Sequence, residues 1–345
     1  MQSRISVVIP TYNRAPWLSE ALISIAQQSL SPEYFEVIVV DNGSTDNTRA
    51  IVEQAGTQYP KVNFRYFYEG VPGMLSGRHK GAQEAKGEIV TFADDDIIAV
   101  PGWLEAILEA FENKEVHMVG GPSIPKYEQT PPEWLDWFWN HNEYGTYCGE
   151  LSLIDFGEED KEIDPGFVWG LNFSIRRKTL YELGGFHPDC IPKSLQYFQG
   201  DGETGLTHKA TAKGYKALYA WKARVEHQIP QERLTSDYFC QRYFYQGVCD
   251  SYTQVRRDGR LNAARDKTGR LGSTVKRALK RVLGDADDMR FPTNVKGLKK
   301  AFQKAYEDGF AYHQKALREH DALLEWVLKE DYWDYELPAL TANQK

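Results

Sequence analysis

Three consecutive carboxylates, Asp94-Asp95-Asp96, follow directly on the apolar run Glu88-Ile-Val-Thr-Phe-Ala93. Placed where a strand ends, they have little structural use beyond an acidic turn, and they suit a bound cation. A hard divalent ion such as Mg²⁺ or Mn²⁺ takes oxygen ligands and keeps few protein carboxylates, leaving its other positions to water and phosphate. Asp94-x-Asp96 therefore reads as a site for a metal-bound diphosphate, with a solvated acidic turn as the alternative.

The elements that must position this triplet are legible around it. Ile5-Ser-Val-Val-Ile9, closed by Pro10, and Phe35-Glu-Val-Ile-Val-Val40, closed by Asp41-Asn-Gly-Ser, read as buried parallel strands. Between them Pro16 suits a first helical turn, and Leu18, Leu22 and Ile25 share one helical face. Ser44 or Asp46 can cap the next helix, which carries Ile51 and Val52 and leads to a strand at Phe64-Arg-Tyr-Phe-Tyr68. Alternating strands and helices predict an α/β fold with a doubly wound sheet. In such sheets ligands bind beyond the carboxyl ends of the strands. Thr11-Tyr-Asn-Arg14, Asp41-Asn42 and Asp94-Asp95-Asp96 all fall on that edge.

The chain has 345 residues, room for one large domain and an appendage. A net charge of -8 argues against a nucleic-acid partner, which needs a broad basic surface, and points to small molecules or glycans. Cys148, Cys190, Cys240 and Cys249 form no C-x-x-C pair and no secretory leader precedes them, so free thiols in a reducing, cytoplasmic compartment are expected. No apolar run approaches the roughly 18 residues of a membrane span. Pro122, Pro125, Pro131 and Pro132 and the cluster Trp134-Leu-Asp-Trp-Phe-Trp139 predict a loop or lid, and beyond Asp237 the pattern turns helical.

Val7-Val-Ile-Pro-Thr-Tyr-Asn-Arg14, Val39-Val-Asp-Asn-Gly-Ser-Thr-Asp-Asn-Thr48 and Phe92-Ala-Asp-Asp-Asp96 resemble the signature of glycosyltransferase family 2, whose members have the GT-A fold. Later segments arrive in that family's order: Arg78, Trp169-Gly-Leu-Asn-Phe-Ser-Ile-Arg176, Gly184-Gly-Phe186, Gly200-Asp-Gly-Glu203 and Val225-Glu-His-Gln-Ile-Pro230. The resemblance covers residues 4–235. It implies a Rossmann-like mixed sheet over 1–235, with a nucleotide-sugar half to about residue 120 and an acceptor half from about 121, followed by a helical extension over 236–345.

The same resemblance implies a metal-dependent, inverting transfer of a sugar from a nucleoside-diphosphate sugar, UDP being favoured, to an acceptor hydroxyl. Pro10, Thr11 and Tyr12 and the Asp41-Asn42 corner are expected to hold the base, with Tyr12 stacking and the corner accepting a hydrogen bond from uracil. Where the family often has Asp-Asp-Gly-Ser, this chain has Asn42. Arg14 and Arg78 are expected to neutralise phosphate, Asp94 and Asp95 to serve the ribose and the loop, and Asp96 with His227 to bind Mn²⁺ or Mg²⁺. Asp201 is expected to be the general base that takes the acceptor's proton. Glu203 supports it, orients the acceptor or caps the following helix. Trp134, Trp137 and Trp169 are acceptor-stacking candidates, with core packing as the other reading.

The acceptor stays open between a glycan, a lipid-linked sugar and a small molecule. The basic stretch between Arg256 and Lys304, including Val275, Leu279 and Val282 with Lys276, Arg277, Lys280 and Arg281 around them, suits peripheral membrane contact, an oligomer contact or a solvated face. A nucleotidyltransferase would show a Gly-x-Gly-x-Arg entry, and a processive synthase would show membrane spans and Gln-x-x-Arg-Trp; the chain has neither. The alternative from another class is a nucleotide-sugar sensor on the same fold.

Overall fold

The computed structural model describes residues 3–261, 291–334 and 336–339. Val275, Leu279, Val282 and the basic residues around them lie outside these. In chain order the strands are β1 (Ile5–Thr11), β2 (Phe35–Asp41), β3 (Asn63–Tyr68), β4 (Ile89–Ala93), β5 (Ile97–Ala99), β6 (Val116–Gly120) and β7 (Ser123–Tyr127), then β8 (Asn140–His141), β9 (Thr146–Cys148), β10 (Leu153–Asp155), β11 (Lys161–Ile163), β12 (Asn172–Arg176), β13 (Lys216–Tyr219) and β14 (Val225–Ile229). The helices are α1 (Ala15–Ala26), α2 (Thr48–Gln58), α3 (Met74–Glu84), α4 (Trp103–Ala110), α5 (Arg177–Glu182), α6 (Glu203–Ala212), α7 (Ser236–Asp258), α8 (Thr293–Glu319) and α9 (Asp321–Leu328).

The main sheet runs β11-β13-β6-β12-β4-β1-β2-β3. β1 is parallel to β2 and β4, and β12 lies antiparallel between β4 and β6, so the sheet is mixed as expected. β1 and β2 are buried along their whole length, which fits continuous β-branched runs with helices on both faces. One core includes Leu18, Leu22 and Ile25 of α1 with Trp103 and Ile107 of α4. The opposite core joins Leu75 of α3 and Leu206 of α6 to Tyr252, Leu317, Trp326 and Tyr332 of the C-terminal segment. The helical extension thus shares the sheet's own core.

A second sheet, β5-β14-β7-β10-β9-β8, builds the other wall of the site. The antiparallel pairing of β14 with β5 sets His227 opposite Ile97, one residue past the acidic triplet. The stretch expected as a loop or lid is instead β7 and a 3-10 helix at Glu133–Phe138. Its apolar side enters a third cluster with Phe239, Phe302 and Phe310, because an aromatic-rich segment gains more from burial than from display. α7 and α8 cross at two glycines: a Cβ on Gly247 would sit 2.1 Å from the Tyr306 carbonyl oxygen, and one on Gly309 would sit 2.0 Å from that of Phe244. Backbones this close leave no room for a side chain.

Candidate active site

At the carboxyl edge of β1, β2 and β4 the triplet meets three guanidinium groups. Asp96 is buried, and its Oδ2 faces Arg14 Nη2 at 2.8 Å, Arg233 Nη2 at 3.0 Å and His227 Nε2 at 3.5 Å. Burial alone raises a carboxyl pKa, but the positive charges of Arg233 and Arg14 overrule it and hold Asp96 far below the usual carboxylate range. Asp95 points inward, accepting a hydrogen bond from Thr11 Oγ1 at 2.7 Å with Arg14 Nε at 3.3 Å. Burial outweighs Arg14 there and pushes its pKa up to about 7. Asp94, also raised by burial, stands 3.7 Å from Arg78 Nη2.

His227 Nδ1 lies 2.9 Å from the Leu151 carbonyl, which can only accept, so Nδ1 carries the proton. Nε2 therefore presents its lone pair beside Asp96, accepting from Arg233 Nη1 at 2.8 Å. This is the tautomer a metal-binding imidazole needs, oriented by a backbone carbonyl behind it. Asp96 Oδ1 and Asp94 Oδ1 are buried with no hydrogen-bond partner among the described residues. An unanswered Asp96 Oδ1 and an Asp94 Oδ1 met only by Arg78 at 3.7 Å, close to an imidazole nitrogen, fit a hard divalent cation. Among the described residues no group of three or more His, Cys, Asp or Glu side chains is arranged to hold an ion. The fit is therefore to an ion with few protein ligands, completed by water and phosphate oxygens.

Arg78 is buried and crosses from the triplet to the other acid of the site. Its Nη1 is 3.3 Å from Glu203 Oε2, and its plane lies 5.0 Å over the Phe186 ring. Gly170 makes space for it, since a Cβ there would stand 2.1 Å from Arg78 Nη2. The expected free phosphate ligand is thus a bridge between two carboxylates. Glu203 opens α6 and lines two adjoining clefts of about 480 and 340 Å³.

Asp201, the expected base, lines the larger cleft beside Glu203 but has both carboxylate oxygens engaged. Its Oδ1 accepts from His187 Nδ1 at 2.7 Å and its Oδ2 accepts from Thr253 Oγ1 at 2.6 Å, in the core against Tyr252. Burial favours the neutral acid, but these two donors win and keep Asp201 below its ordinary range; burial likewise holds His187 neutral. A carboxylate with both oxygens already engaged ties the loop at His187 to Thr253 of α7, whereas Glu203 meets only Arg78 and, at 3.4 Å, Gly170 N. Gly200-Asp-Gly-Glu203 offers two acids two residues apart about a positive-φ turn at Gly202 (φ 54°), and both line the larger cleft.

The nucleotide corner also differs from expectation. Asp41 accepts from Ser44 N and from the Tyr66 hydroxyl, both at 2.7 Å, and burial with Asp41 beside it pushes Tyr66 up to about 12. Asn42 Oδ1 accepts from Gly73 N at 2.9 Å, and its amide donates to the Glu69 and Val71 carbonyls. Both side chains brace the loop to α3, so the expected uracil contact from Asn42 is already taken by protein. Pro10 and Thr11 are buried in the strand end, while Tyr12 is 59% exposed and offers an open ring.

Of the tryptophans, Trp134 is half-buried and packs edge-on against Phe138 and Phe239 at the edge of the third cluster. Trp137 is exposed, edge-on to Phe291, and lines neither Glu203 cleft. Trp169 lines the smaller cleft with Tyr147 and Glu203, anchored by its Nε1 donating to the Gly166 carbonyl at 3.0 Å. Arg233 went unremarked in the sequence; its signal is a basic residue six positions past His227, in the turn that follows β14.

A mixed α/β sheet with an acidic triplet at its carboxyl edge, a histidine brought to it by a second sheet, and a separate acid-lined cleft define a transferase of activated sugars. The profile described as glycosyl transferase family 2 matches residues 6–183, just over half of the sequence, and the chain belongs to that family. It is a nucleotide-sugar glycosyltransferase. Among relatives, the glucosyl-dolichyl phosphate glucuronosyltransferase of Haloferax volcanii is 26% identical over 249 residues, 71% of this chain and 75% of its own length. Validoxylamine A glucosyltransferase of Streptomyces hygroscopicus is 30% identical over 207 residues, 54% of this chain but only 44% of its own length. The mannosyltransferase PcManGT of Pyrobaculum calidifontis, solved with GDP-Man and Mn²⁺, matches in fold with a TM-score of 0.52 at 20% identity, over 97% of this chain and 89% of its own. Among the described residues no helix is long and apolar enough to cross a membrane.

Proposed function

We propose that the chain is a metal-dependent, inverting transferase that moves a sugar from a nucleoside-diphosphate sugar to an acceptor hydroxyl in the Glu203 cleft. The observation that carries this reading is the buried, unpartnered Asp96 Oδ1 beside the His227 Nε2 lone pair. Asp96, His227 and Asp94 would hold Mn²⁺ or Mg²⁺, as the Mn²⁺ complex of PcManGT also suggests. When bound, the ion supplies positive charge that stabilises the departing diphosphate.

The chain's own groups do the rest. Arg14 and Arg233, at the open side of Asp96, lie where a diphosphate would be neutralised, and Tyr12 gives the base a stacking face. Glu203 takes the proton from the acceptor hydroxyl, while Arg78 ties it to Asp94 so that the two halves of the site keep one spacing. Direct attack by that hydroxyl inverts the anomeric centre. Trp169 and Tyr147 offer aromatic faces to the acceptor ring. UDP remains the nucleotide the sequence favours, and a glycan, a lipid-linked sugar or a small molecule the acceptor class. A cytoplasmic enzyme touching anionic lipid through the basic stretch between Arg256 and Lys304, or self-associating there, rests on that stretch's charge, and liposome flotation with size-exclusion chromatography tests both.

The test is calorimetry followed by a donor panel. Three carboxylates already face three guanidiniums, so a divalent ion or a diphosphate alone meets opposing charge, whereas together they nearly cancel. Mn²⁺ and UDP should therefore bind cooperatively, and one nucleotide sugar should release its diphosphate in the presence of Mn²⁺. Binding of UDP indifferent to Mn²⁺, with no turnover of any donor, would leave the sensor reading.

A further inference from the structure

The wall of the Glu203 clefts remote from the acidic triplet comes from α7, beyond the segment that the family profile matches. Tyr238, Arg242, Gln246, Cys249 and Thr253 recur there at three- and four-residue spacing and line the larger cleft; Arg242 and Gln246 line the smaller one too. The acids of these clefts already have partners. Glu203 pairs with Arg78, Asp201 with His187 and Thr253, and Asp250 with the Tyr306 hydroxyl at 2.6 Å and Gln246 at 2.7 Å. Asp189 accepts from Gln199 at 2.7 Å and from Cys190 N at 2.8 Å, and Glu150 from the Tyr243 hydroxyl. Arg233 is held by Asp96.

Arg242 differs from all of them. Among the described residues it makes no hydrogen bond and no ion pair, although it is half-buried and lines both clefts. A guanidinium is always charged and presents a planar fork of donors matched to phosphate and carboxylate oxygens. Half out of water, with the Asp189 carboxyl acting on it only through space and no carboxylate among the described residues paired to it, it gains a partner when an anion arrives. We infer that Arg242 binds an anionic group, a phosphate or a carboxylate, carried by the sugar acceptor, and so holds the acceptor with its hydroxyl toward Glu203. The inference rests on the transferase reading above, and it narrows the acceptor to an oxyanion-bearing molecule. A neutral acceptor would leave the charge unanswered and be discriminated against for that reason.

The test uses the full chain saturated with Mn²⁺ and UDP, into which dodecyl phosphate, glucuronate or neutral methyl glucoside is titrated calorimetrically. At least one anionic probe should bind the wild type, and Arg242→Gln should weaken it about tenfold to a hundredfold, the range for a charge-assisted pair. Arg242→Lys should recover only part of this, while UDP affinity and melting temperature stay unchanged in both variants. Binding of dodecyl phosphate alone identifies a phosphate, and binding of glucuronate alone an acidic sugar. Equal binding to wild type and Arg242→Gln, methyl glucoside binding as tightly as the anions, or a loss of UDP affinity in Arg242→Gln would overturn the inference. UDP bound with Mn²⁺ but no anion bound removes this inference alone; no UDP bound to the wild type removes the transferase reading as well.

Discussion

Exchanging the two acids of Gly200-Asp-Gly-Glu203 for their amides separates catalysis from architecture. Glu203→Gln keeps the size of the side chain and an acceptor for Gly170 N, which lies 3.4 Å from Oε1, but removes the proton acceptor. Loss of a positioned base typically costs about 10²–10⁴ in rate, or about 2.7–5.4 kcal/mol of barrier. Asp201→Asn leaves Glu203 in place but cannot accept from both His187 and Thr253 as the carboxylate does. Losing one charge-assisted hydrogen bond in the core costs about 1.5–3 kcal/mol of stability. Turnover under saturating donor, calorimetry with UDP and Mn²⁺, and thermal unfolding should be run on both variants. Glu203→Gln should bind UDP normally, melt like the wild type and lose at least about a hundredfold in kcat. Asp201→Asn should melt several degrees lower yet turn over at close to the wild-type rate when folded. A stable Asp201→Asn protein without activity, beside an active Glu203→Gln, would refute the assignment.

Trp134→Ala removes a half-buried ring from the third cluster and should cost about 1–3 kcal/mol of stability while leaving acceptor kinetics unchanged; Trp169→Ala should raise the acceptor KM without altering UDP binding. Arg233→Gln removes one of the cations that crowd Asp96, so Mn²⁺ without nucleotide should bind more tightly, by up to about tenfold. The same variant should bind UDP less well in the presence of Mn²⁺, and calorimetry reads both changes. His313 is fully buried beside Ser251, and burial lowers its pKa from 6.5 to about 3. Below about pH 6.5 the unfolded chain takes up a proton there that the folded chain refuses, so this histidine's contribution falls with pH down to about pH 3. The stability penalty of His313→Gln should therefore shrink by about 1.4 kcal/mol per unit as pH drops from 6 to 4. Urea unfolding of both proteins across that range checks it, and parallel pH profiles would refute it.

Much of the nucleotide half was legible because its signals are local. Ile5–Thr11 and Phe35–Asp41 are runs whose composition specifies buried parallel strands, and the rule that ligands gather at their carboxyl ends puts Arg14 and Asp94–Asp96 in one place. What escaped depends on contacts distant in sequence. That Asp201 has both oxygens engaged while Glu203 does not depends on His187 and on a hydroxyl on Thr253, 52 residues away. What Trp134 packs against, Phe239 and Phe302, likewise lies far along the chain. Asn42 could be read as an acceptor because its type allows it; the loop to α3 claims it instead.

The sharing of one core between the sheet and the C-terminal segment has a bearing on the order of assembly. Trp333 lies stacked between His79 and Tyr181, and the Tyr332 carbonyl accepts a hydrogen bond from His79, the residue next to Arg78. A ribosome delivers these residues long after the donor-binding strands have emerged. The nascent chain therefore holds an unfinished Arg78 shelf until Tyr332 and Trp333 have emerged, and until then lacks part of the packing behind its sugar-nucleotide pocket.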